Sequence, residues 1–515
     1  MADAFDLLVV GGGITGAGVA LDAAARGMRT ALVERDDFGS GTSSRSSKLV
    51  HGGLRYLSQG EYRLVVQALA ERQRLLRNAP HLVRPVPFLY PSYGSRARMR
   101  GVSSALWLYD LAGGVRIGRL HRRLSAADAM AHTPSLHSDG LVGAHLFLDA
   151  QADDARLTLA VVRTAVLDHR AVAANHVPVT GLLTGTDGQV AGASLRVDGR
   201  DVEVQASAVV NAAGVWADGV AGDGLRSIRP AKGVHVTVPA DRLPTDVALV
   251  LAVPSDGRSI FVVPWPGAER VYIGTTDTDY EGPLDRPMCT TADVAYLLDA
   301  ANAALTTTLT PADVVGTWAG LRPLVAGAAG NQRSADLSRR HRVTRGPNGL
   351  VTIAGGKLTT YRAMAADTVD EVEAVLGRRH VPSPTRGLAL RGAGGGRADG
   401  HLHGRYGTES RVIDALLAED PSLGGLLVPT LPYLRAEAIY AARYEMARTV
   451  DDVLARRTRS LILGRDASTA AAGDVACLLA PELGWSDAEA DAQAQAYRDG
   501  AEAERLAATA ILSGS

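Results

Sequence analysis

The first 34 residues contain the pattern that most limits how this chain can fold. Residues 5–10, FDLLVV, form an apolar run that is typical of a buried parallel strand. Residues 14–26 predict a helix that ends at Gly27. Residues 29–33 predict a second strand, which ends at Glu34. Strand, helix and strand in this order form a βαβ unit, so the chain is predicted to begin with a parallel sheet of an α/β fold.

The turn between the first strand and the helix has the glycine spacing of a dinucleotide-binding unit. Gly11 allows a tight turn, Gly13 allows the backbone to approach a pyrophosphate at the helix N-terminus, and Gly16 allows helix and strand to pack closely. Glu34 follows at the tip of the second strand, where it can accept hydrogen bonds from a ribose. The alternative, a glycine-rich turn in another α/β fold, leaves Glu34 unexplained. The cofactor-binding residues predicted in this unit are Gly11, Gly13, Ile14, Thr15, Gly16 and Glu34.

The composition indicates a globular protein of several domains. At 515 residues, with 46% hydrophobic and 21% charged residues, the chain can bury large cores. A net charge of −1 gives no reason to expect a nucleic-acid partner. Cys289 and Cys477 lie too far apart in the sequence to suggest a metal cluster or a disulfide framework, and no apolar run is long enough to span a membrane. We therefore expect a cytoplasmic protein.

Two later segments favour FAD over NAD as the dinucleotide. Residues 201–214 predict a strand followed by a glycine turn, and residues 349–373 predict a strand, a Gly-Gly turn and a helix. Contacts that return so late in the chain suit a long cofactor held at both ends. A flavin needs one βαβ unit for its adenine half and a second helix N-terminus that faces its isoalloxazine ring, so FAD is the predicted cofactor.

The distribution of positive charge marks further candidate positions. Of the 54 lysines and arginines only three are lysines, namely Lys48, Lys232 and Lys357. Chance is one explanation, because an arginine-rich composition reflects codon usage. The other explanation is chemical, because a compact ammonium fits where the wide guanidinium of Arg does not, and its pKa can shift. Each lysine stands beside Gly, His or hydroxyl residues, which favours the chemical explanation.

Several longer motifs are more specific than the glycine spacing, and the three lysines fall inside them. The motifs include GGGITGAG at 11–18, SSRSSKLVHGGLRYL at 43–57, NAAGVWAD at 211–218, KGVHVTVP at 232–239, WAGLRPL at 318–324 and AGGKLTTYR at 354–362. In this order they resemble the FAD-dependent (aerobic, respiratory) glycerol-3-phosphate dehydrogenase family, within the wider group of glycine-oxidase-like and D-amino-acid-oxidase-like flavoproteins. The resemblance runs over residues 5–375, and residues 430–465 resemble the C-terminal helical cap of the family.

The resemblance implies oxidation of sn-glycerol 3-phosphate to dihydroxyacetone phosphate by hydride transfer to FAD, with the electrons passed to a membrane quinone. A glycerol-3-phosphate oxidase that uses oxygen, or a related flavin amine or amino-acid oxidase, is the alternative. A homodimer and a peripheral position on the inner face of the cell membrane also fit the resemblance.

The same resemblance extends the predicted cofactor site. It implies that Lys48 lies in a loop that runs past the flavin, that Lys357 lies at the helix facing the ring, and that Lys232 precedes a strand of the substrate domain. The residues that it adds to the cofactor site are Ser43, Ser47, Lys48, Leu49, Gly214, Gly355, Gly356, Lys357, Leu358 and Thr359.

Six residues are candidates for the chemistry, since oxidation of a secondary alcohol needs an anion clamp, a base and a fixed pose. Arg322 stands in an apolar setting and suits a bidentate phosphate contact, with a buried ion pair as the alternative. His51 and His235 are both candidates for the base, His51 before His235. Arg55 and Tyr56 either hold substrate groups or bond only within their loop. The predicted catalytic residues are His51, Arg55, Tyr56, His235, Arg322 and Lys357, and the sequence shows no spacing of metal ligands.

The predicted fold class is α/β, with a Rossmann-like FAD-binding domain interleaved with an α+β substrate domain and followed by an all-α domain. Alternation in VHVTVP, SIFVVPW and RVYIGTTD predicts an antiparallel sheet in the substrate domain. The predicted boundaries are 1–90, 145–230 and 340–380 for the FAD-binding domain, 91–144 and 231–339 for the substrate domain, 381–403 for a linker and 404–515 for the helical domain.

Residues 96–123 are the candidate for a contact with a membrane. The basic groups RARMR and RLHRR flank the segment GVSSALWLYDLAGGV, a pattern that suits docking on an anionic membrane surface. An ordinary helix of the substrate domain with solvated ends explains the same pattern equally well.

Overall fold

The computed structural model describes residues 5–54, 56, 60–222, 227–253, 256–325, 340–395 and 400–510. Within these ranges the chain forms two β-sheets, each packed against helices, and a C-terminal helical region. This architecture confirms the predicted combination of an α/β part, an α+β part with a largely antiparallel sheet, and an all-α part. The candidate residue Arg55 lies outside the described residues.

The regular elements are numbered in chain order over the described ranges. The strands are β1 (Phe5–Val10), β2 (Thr30–Val33), β3 (Leu49–Val50), β4 (Val83–Tyr93), β5 (Arg122–Leu124), β6 (Leu141–Ala152), β7 (Val172–Ala174), β8 (Val179–Thr184), β9 (Val190–Val197), β10 (Arg200–Asn211), β11 (Ile228–Pro239), β12 (Ala248–Ala252), β13 (Ser259–Trp265), β14 (Arg270–Gly274), β15 (Thr278–Asp279), β16 (Gly316–Val325), β17 (Arg342–Arg345) and β18 (Val351–Ala354). The helices are α1 (Ile14–Ala25), α2 (Tyr62–Asn78), α3 (Arg96–Leu111), α4 (Ala126–His132), α5 (Asp154–His169), α6 (Ala217–Ala221), α7 (Thr291–Asn302), α8 (Tyr361–Val375), α9 (His401–Tyr406), α10 (Ser410–Glu419), α11 (Arg435–Glu445), α12 (Ser460–Leu463), α13 (Arg465–Ala470), α14 (Ala472–Leu483) and α15 (Asp487–Thr509). Short 3-10 turns at Thr42–Ser44, Gly214–Trp216 and Leu358–Thr360 and a π-helix at Asp452–Arg457 lie near the site described below.

The first sheet has the strand order β17-β18-β10-β1-β2-β7, with β9 paired to β10 and β8 paired to β9. β1 pairs in parallel with β2 and β10, and β10 pairs in parallel with β18. Leu7 and Val9 belong to a core shared with α1, α5 and α8, whereas Leu8 and Val10 belong to a core on the opposite face. Because both faces of β1 are buried from Leu7 onward, its sequence is continuously apolar over residues 7–10.

The second sheet has the order β15-β11-β14-β13-β12-β4-β6-β3, with β16 paired to β11 and β5 paired to β6. β11, β13 and β14 pair antiparallel, as the alternation of their residues predicts. The sheet is not wholly antiparallel, since β12 and β4 run parallel. One of its faces packs against α7, where Leu297 and Leu298 join a core with Val236 and Val262.

The C-terminal helices pack against the second sheet. Val453, Leu461 and Ile462 belong to one buried core with Tyr272 and Trp318 of that sheet. The helical region therefore lies against the strands that carry several of the candidate site residues.

Three predicted domain boundaries differ from the observed packing. Val83 of β4 lies opposite Ala152 of β6, so the second sheet includes residues before 91 and after 144. The segment predicted as a linker is packed in its described part: Leu390 is buried in the core that includes α1, and Thr385 Oγ1 donates a 2.9 Å hydrogen bond to Asp22. The physical reason is that apolar residues inside this Pro- and Gly-rich segment are buried against the first sheet's helices.

Candidate active site

A cavity of about 440 Å³ opens at the carboxyl ends of four parallel strands. β1, β2, β10 and β18 end at this edge, and residues directly after each strand line the cavity: Gly11, Glu34, Ala212 and Gly355. Open α/β sheets bind their ligands at this edge, because loops and helix N-termini meet there. We call this cavity the cofactor cleft.

The first glycine turn brings the N-terminus of α1 to the cleft. Gly11 has a φ of +106°, and a Cβ at this position would lie 2.7 Å from a backbone carbonyl oxygen in the turn after β10. A Cβ on Gly16 would overlap the carbonyl oxygen of Gly11. Gly13 is the N-cap of α1, and the Ile14 N–H donates a 2.8 Å hydrogen bond to Ser43 Oγ. The turn therefore keeps side chains out of the space in front of the helix.

Glu34 lies at one end of the cleft and is held by backbone groups. Its carboxylate accepts hydrogen bonds from the N–H groups of Gly12 at 2.7 Å and Asp36 at 2.9 Å. Burial raises the pKa of Glu34, and these two backbone hydrogen bonds oppose the rise. Because the bonds fix the carboxylate, its remaining lone pairs are oriented to accept from a ribose hydroxyl.

The opposite end of the cleft is formed by the second glycine turn and the 3-10 turn before α8. Gly355 and Gly356 have φ angles of +76° and +83°, a region that favours glycine. Lys357 follows at the N-cap of the 3-10 turn and lines the cleft together with Leu358. This turn therefore places backbone of the glycine pair and the residue Lys357 at the cleft, with the Lys357 Nζ itself buried.

Two residues of the HGGLRY segment approach this end. The ring of Tyr56 lies beneath Lys357, with Nζ 3.7 Å from the ring centre. The His51 N–H donates a 3.3 Å hydrogen bond to Thr359 Oγ1, and the His51 ring meets Phe261 edge-on at 6.1 Å. Tyr56 and the His51 backbone thus contact Lys357 and Thr359, although neither His51 nor Tyr56 itself lines the cleft.

The residues of the cleft fit FAD. Its lining extends from Glu34 to Lys357, and two glycine turns leave room for close backbone approach at both ends. The wall between them also includes apolar residues from outside the predicted set, among them Val177, Leu182 and Trp216. Sequence reasoning missed Val177 and Leu182 because isolated apolar residues around a short strand have no diagnostic spacing, whereas Trp216 stands within the NAAGVWAD motif.

The loop after the first βαβ unit contributes only part of its predicted contacts. Of the four residues predicted there, Ser43 lines the cleft, whereas Ser47, Lys48 and Leu49 do not; Ser46, which is outside the predicted set, also lines it. Gly214, predicted from the turn after β10, does line it. The three residues outside the lining point to another role for this stretch, which is to hold the loop in place.

Lys48 is fully buried in an ionic cluster away from the cleft. Its Nζ donates to the Ser44 carbonyl at 3.0 Å and to Asp154 Oδ1 at 3.1 Å, and it lies 4.7 Å from the centre of the Trp318 ring. Burial and, to a smaller extent, the nearby charge of Arg459 lower the pKa of Lys48 to about 8, while Asp154 opposes the shift. The lysine therefore fixes the fold of the loop and does not face the cofactor.

His235 is also buried away from the cleft. Its ring stacks on Trp318 at 4.6 Å with an interplanar angle of 7°, and its Nε2 lies 2.9 Å from Ser47 Oγ. Burial holds the pKa of His235 well below its ordinary value, with smaller contributions from Lys48 and Arg322, so the imidazole is neutral at pH 7. Its observed hydrogen-bond partner is therefore Ser47, in the loop that follows the first βαβ unit.

The remaining two predicted cations have protein partners. Lys232 Nζ lies 2.6 Å from Asp293 Oδ2, which joins β11 to the start of α7. Arg322, on β16, lies 3.3 Å from Asp277 Oδ1 and donates to Thr275 Oγ1 at 3.2 Å. Its neighbour Pro323 lines the cleft. Arg322 thus has an ion pair, and the residue after it, rather than Arg322 itself, lines the cleft.

Arginines of the C-terminal helical region hold the loops of the cofactor cleft. Arg459, which is 1% exposed, donates to the Ser44 carbonyl and, at 2.8 Å, to Asp154 Oδ1. Arg457, at the end of the π-helix, donates to both carboxylate oxygens of Asp37 at 2.6 and 2.9 Å. Sequence reasoning missed this role, although the RYEMARTVDDVLARRTR stretch carries these arginines in a dense run.

Comparison with known proteins assigns the chain to a family. A family model described as FAD dependent oxidoreductase matches residues 6–362, and one described as the C-terminal domain of alpha-glycerophosphate oxidase matches residues 383–490. Glycerol-3-phosphate dehydrogenase 2 of Mycobacterium tuberculosis is 42% identical over 527 residues, covering 98% of this chain and 89% of the relative. The mitochondrial glycerol-3-phosphate dehydrogenase of Homo sapiens is 38% identical over 542 residues, covering 96% of this chain and 72% of the relative.

A solved structure supports the same assignment. The glycerol-3-phosphate dehydrogenase from Bacillus halodurans complexed with FAD is 31% identical and superimposes with a TM-score of 0.78, covering 100% of this chain and 97% of that chain. Its bound cofactor agrees with the fit of the cleft described above. The chain therefore belongs to the FAD-dependent glycerol-3-phosphate dehydrogenase family.

Proposed function

We propose that this protein oxidises sn-glycerol 3-phosphate to dihydroxyacetone phosphate by hydride transfer to FAD and passes the electrons to a membrane quinone. The observation that carries the proposal is that Lys357 lines the cofactor cleft and lies over the Tyr56 ring, while Thr359, two residues on, bonds the His51 backbone. Relatives that cover nearly all of this chain are named glycerol-3-phosphate dehydrogenases, which supports the choice of substrate.

The residues at this end suit the oxidation of a phosphorylated alcohol. FAD, when bound, supplies an acceptor for two electrons. Lys357 lines the cleft directly after the second glycine turn, with its ammonium buried over the Tyr56 ring, and we assign it the stabilisation of negative charge that develops at this end. Arg322 would hold the substrate phosphate by redirecting hydrogen bonds that it now makes to Thr275 and Thr276.

His51 is the better candidate for the base that accepts the hydroxyl proton. Neither histidine lines the cofactor cleft, but the His51 backbone is tied to Thr359, two residues after Lys357, which does line it. The His235 ring is buried against Trp318 and its Nε2 already has Ser47 as a partner, which suits a role in positioning Ser47. We therefore assign proton transfer to His51.

The experiment that tests this function is anaerobic reduction of the enzyme-bound flavin by glycerol 3-phosphate. We expect the flavin absorbance to bleach with substrate and to return on addition of a quinone analogue. Glycerol without phosphate serves as the control and should reduce the flavin far more slowly, because it lacks the group that Arg322 would bind. Reoxidation by oxygen at a rate equal to that with the quinone analogue would favour the oxidase alternative, and no bleaching would contradict the proposal.

The quinone must be reached from the protein surface if this function is correct. Within the described residues no helix is both long and apolar enough to cross a membrane. On α3, Trp107, Leu108 and Leu111 are exposed, and Leu111 is 79% exposed. Arg100 and Arg122 are exposed in the same segment. Apolar side chains beside cations suit docking on an anionic bilayer, so we assign the membrane contact to this surface, at the inner face of the cell membrane.

A triple variant tests this surface. We expect Arg100→Gln, Arg122→Gln and Leu111→Ser together to weaken binding to vesicles that contain anionic phospholipid. Arg98 has no described side chain, and Arg123 already donates to Ser103 at 3.0 Å, so both predicted contributors are left unchanged. Reduction of a soluble acceptor dye should stay at the wild-type rate. If variant and wild type sediment equally with the vesicles, this surface does not make the membrane contact.

The choice of lysine at position 357 gives a sharper test of the site. Lys357→Arg should slow flavin reduction by at least about tenfold, or ~1.4 kcal/mol on the barrier, because a guanidinium is wider than the ammonium above the Tyr56 ring. The rate is measured by anaerobic stopped flow with glycerol 3-phosphate. Arg379→Lys, at an exposed position, is the control for an exchange between the two cations. A wild-type rate for Lys357→Arg would mean that chance explains this lysine.

A further inference from the structure

The backbone directly after β3 is held by side chains. β3 ends at Val50, where its pairing with β6 also stops. The His51 N–H then donates a 3.3 Å hydrogen bond to Thr359 Oγ1, and the Gly52 N–H donates a 2.9 Å hydrogen bond to the hydroxyl of Tyr109. Backbone N–H groups in a protein interior need an acceptor, so the position of this backbone depends on two side chains from distant parts of the chain. We call residues 51–53 the HGG segment.

The hydroxyl of Tyr109 is used in both directions. Tyr109 lies near the C-terminal end of α3 and is 1% exposed. Its hydroxyl donates to Asp149 Oδ2 on β6, which leaves a lone pair on the oxygen to accept from the Gly52 N–H. Burial and the charge of Asp149 raise the pKa of Tyr109 well above its ordinary value, while Arg72 opposes the rise. The phenol therefore stays protonated at neutral pH and keeps this arrangement.

The carboxylate that accepts from Tyr109 is itself fixed. Arg72 of α2 donates to Asp149 Oδ1 at 2.8 Å, and both side chains are buried. The two oxygens of Asp149 thus face different partners, one the guanidinium and the other the phenol. Hydrogen bonds with a charged partner are stronger than those between neutral groups. Three elements, α2, β6 and α3, therefore fix the tyrosine hydroxyl against the HGG segment.

Packing around the two glycines is close. A Cβ on Gly52 would lie 2.7 Å from the hydroxyl oxygen of Tyr109 and 2.6 Å from Cδ2 of Leu69. Gly53 has a φ of +80°, and a Cβ there would lie 2.3 Å from an atom of the Tyr56 ring. Tyr56 packs in turn against the buried cluster that includes Tyr109 and Leu69. Tyr109 thus contacts the HGG segment with its hydroxyl, and the cluster around its ring supports the ring of Tyr56.

We propose that Tyr109 is a positioning residue for the oxidation, which fixes the HGG segment beside the turn that carries Lys357. The inference rests on the proposed function, because it assumes that His51 accepts the substrate proton. Tyr109 is not among the described residues that line the cofactor cleft, so it acts through the Gly52 backbone and does not touch the substrate. A small displacement of a catalytic group lowers the rate strongly, which gives this hydrogen bond its importance.

Tyr109→Phe tests the proposal, because it removes the hydroxyl and keeps the ring. We expect the limiting rate of anaerobic flavin reduction by glycerol 3-phosphate to fall at least about tenfold, since His51 is no longer held in place. The substrate concentration that gives half of the limiting rate should change by less than about twofold, because the predicted phosphate clamp at Arg322 is untouched. A structural role alone would not separate these two constants.

Tyr406→Phe is the matched control. Tyr406 is 2% exposed in the C-terminal helical region, and its hydroxyl donates a 2.8 Å hydrogen bond to the buried carboxylate of Glu437. Each variant takes one buried tyrosine hydroxyl away from a buried carboxylate, so both should lower Tm. Only Tyr109→Phe should slow flavin reduction. Equal slowing in the two variants would overturn the proposal, because a general loss of stability would then explain the effect.

Amide hydrogen exchange follows the HGG segment without turnover. In the FAD-loaded protein without substrate, we expect the Gly52 N–H to exchange at least about tenfold faster in Tyr109→Phe, because it loses its acceptor, and at the wild-type rate in Tyr406→Phe. Wild-type exchange or a wild-type limiting rate in Tyr109→Phe would overturn the inference and leave the proposed function standing. Absence of flavin reduction in the wild type would overturn both, which distinguishes the two failures.

Discussion

Replacing Asp154 by Ala is expected to lower the free energy of unfolding by about 3–5 kcal/mol, because it leaves two buried cations without their shared carboxylate. Asp154 is fully buried and accepts from Lys48 Nζ at 3.1 Å and from Arg459 at 2.8 Å. It also accepts a 2.7 Å hydrogen bond from the hydroxyl of Ser46, which lines the cofactor cleft. The loop should therefore loosen, and the variant should lose FAD during gel filtration.

Thermal unfolding followed by flavin fluorescence measures both effects. Asp201→Ala is the matched control, because Asp201 pairs with Arg196 at 2.8 Å on the surface, with more than half of each side chain exposed. Surface pairs of this kind contribute little, so the control should unfold like the wild type. If Asp154→Ala keeps its Tm and its FAD, the ionic cluster does not support the loop.

The pH dependence of stability gives an independent check on the same cluster. The folded pKa of Lys48, about 8, lies below its ordinary value of 10.5. Between these values the unfolded chain binds more protons than the folded one at this group, so its contribution makes stability rise with pH in that window. Lys48→Met should remove this part of the slope in denaturant titrations. If stability depends on pH in the same way in Lys48→Met and in the wild type, Lys48 does not have the lowered pKa.

Arg322→Ala is expected to lower kcat/KM for glycerol 3-phosphate, mainly by raising KM. The loss corresponds to roughly 2–5 kcal/mol of transition-state stabilisation. The reason is the loss of the cation that we assign to the substrate phosphate. Removal of Arg322 also leaves Asp277, 3.3 Å away, without this partner, so Tm must be measured alongside the kinetics. Flavin content should stay near the wild-type value, since Arg322 itself does not line the cofactor cleft.

A second arginine of the same sheet serves as the control for Arg322. Arg229 pairs with Asp279 at 2.8 Å at an exposed position on β11. Arg229→Ala should leave both KM and kcat unchanged, because a surface pair of this kind lies apart from the predicted clamp. Unchanged kinetics in Arg322→Ala, with a lowered Tm, would make Arg322 a structural ion pair and place the phosphate clamp elsewhere.

The sequence by itself determined the cofactor half of the protein. Gly11 and Gly16 allow no side chain, and Glu34 follows at a fixed interval, so local spacing alone specifies the first glycine turn. The same holds for Gly355 and Gly356, whose positive φ values are required by the second turn. The positive φ values and the contact between Gly16 and Gly11 are local, and local geometry can be predicted from residue order, whereas the contact that excludes a side chain at Gly11 comes from Ala212 in the turn after β10.

Only the tertiary structure decided what most of the polar candidates do. Lys48, Lys232 and His235 stand inside motif stretches, yet each side chain is turned toward a protein partner rather than the cleft. Their partners come from distant parts of the chain: Asp154 lies 106 residues after Lys48, and Ser47 lies 188 residues before His235. A side chain on a strand or loop can point to either side, and the choice depends on what the completed fold places there. The residue type therefore predicts that a polar group needs a partner, and the packing of the three parts decides which partner it has.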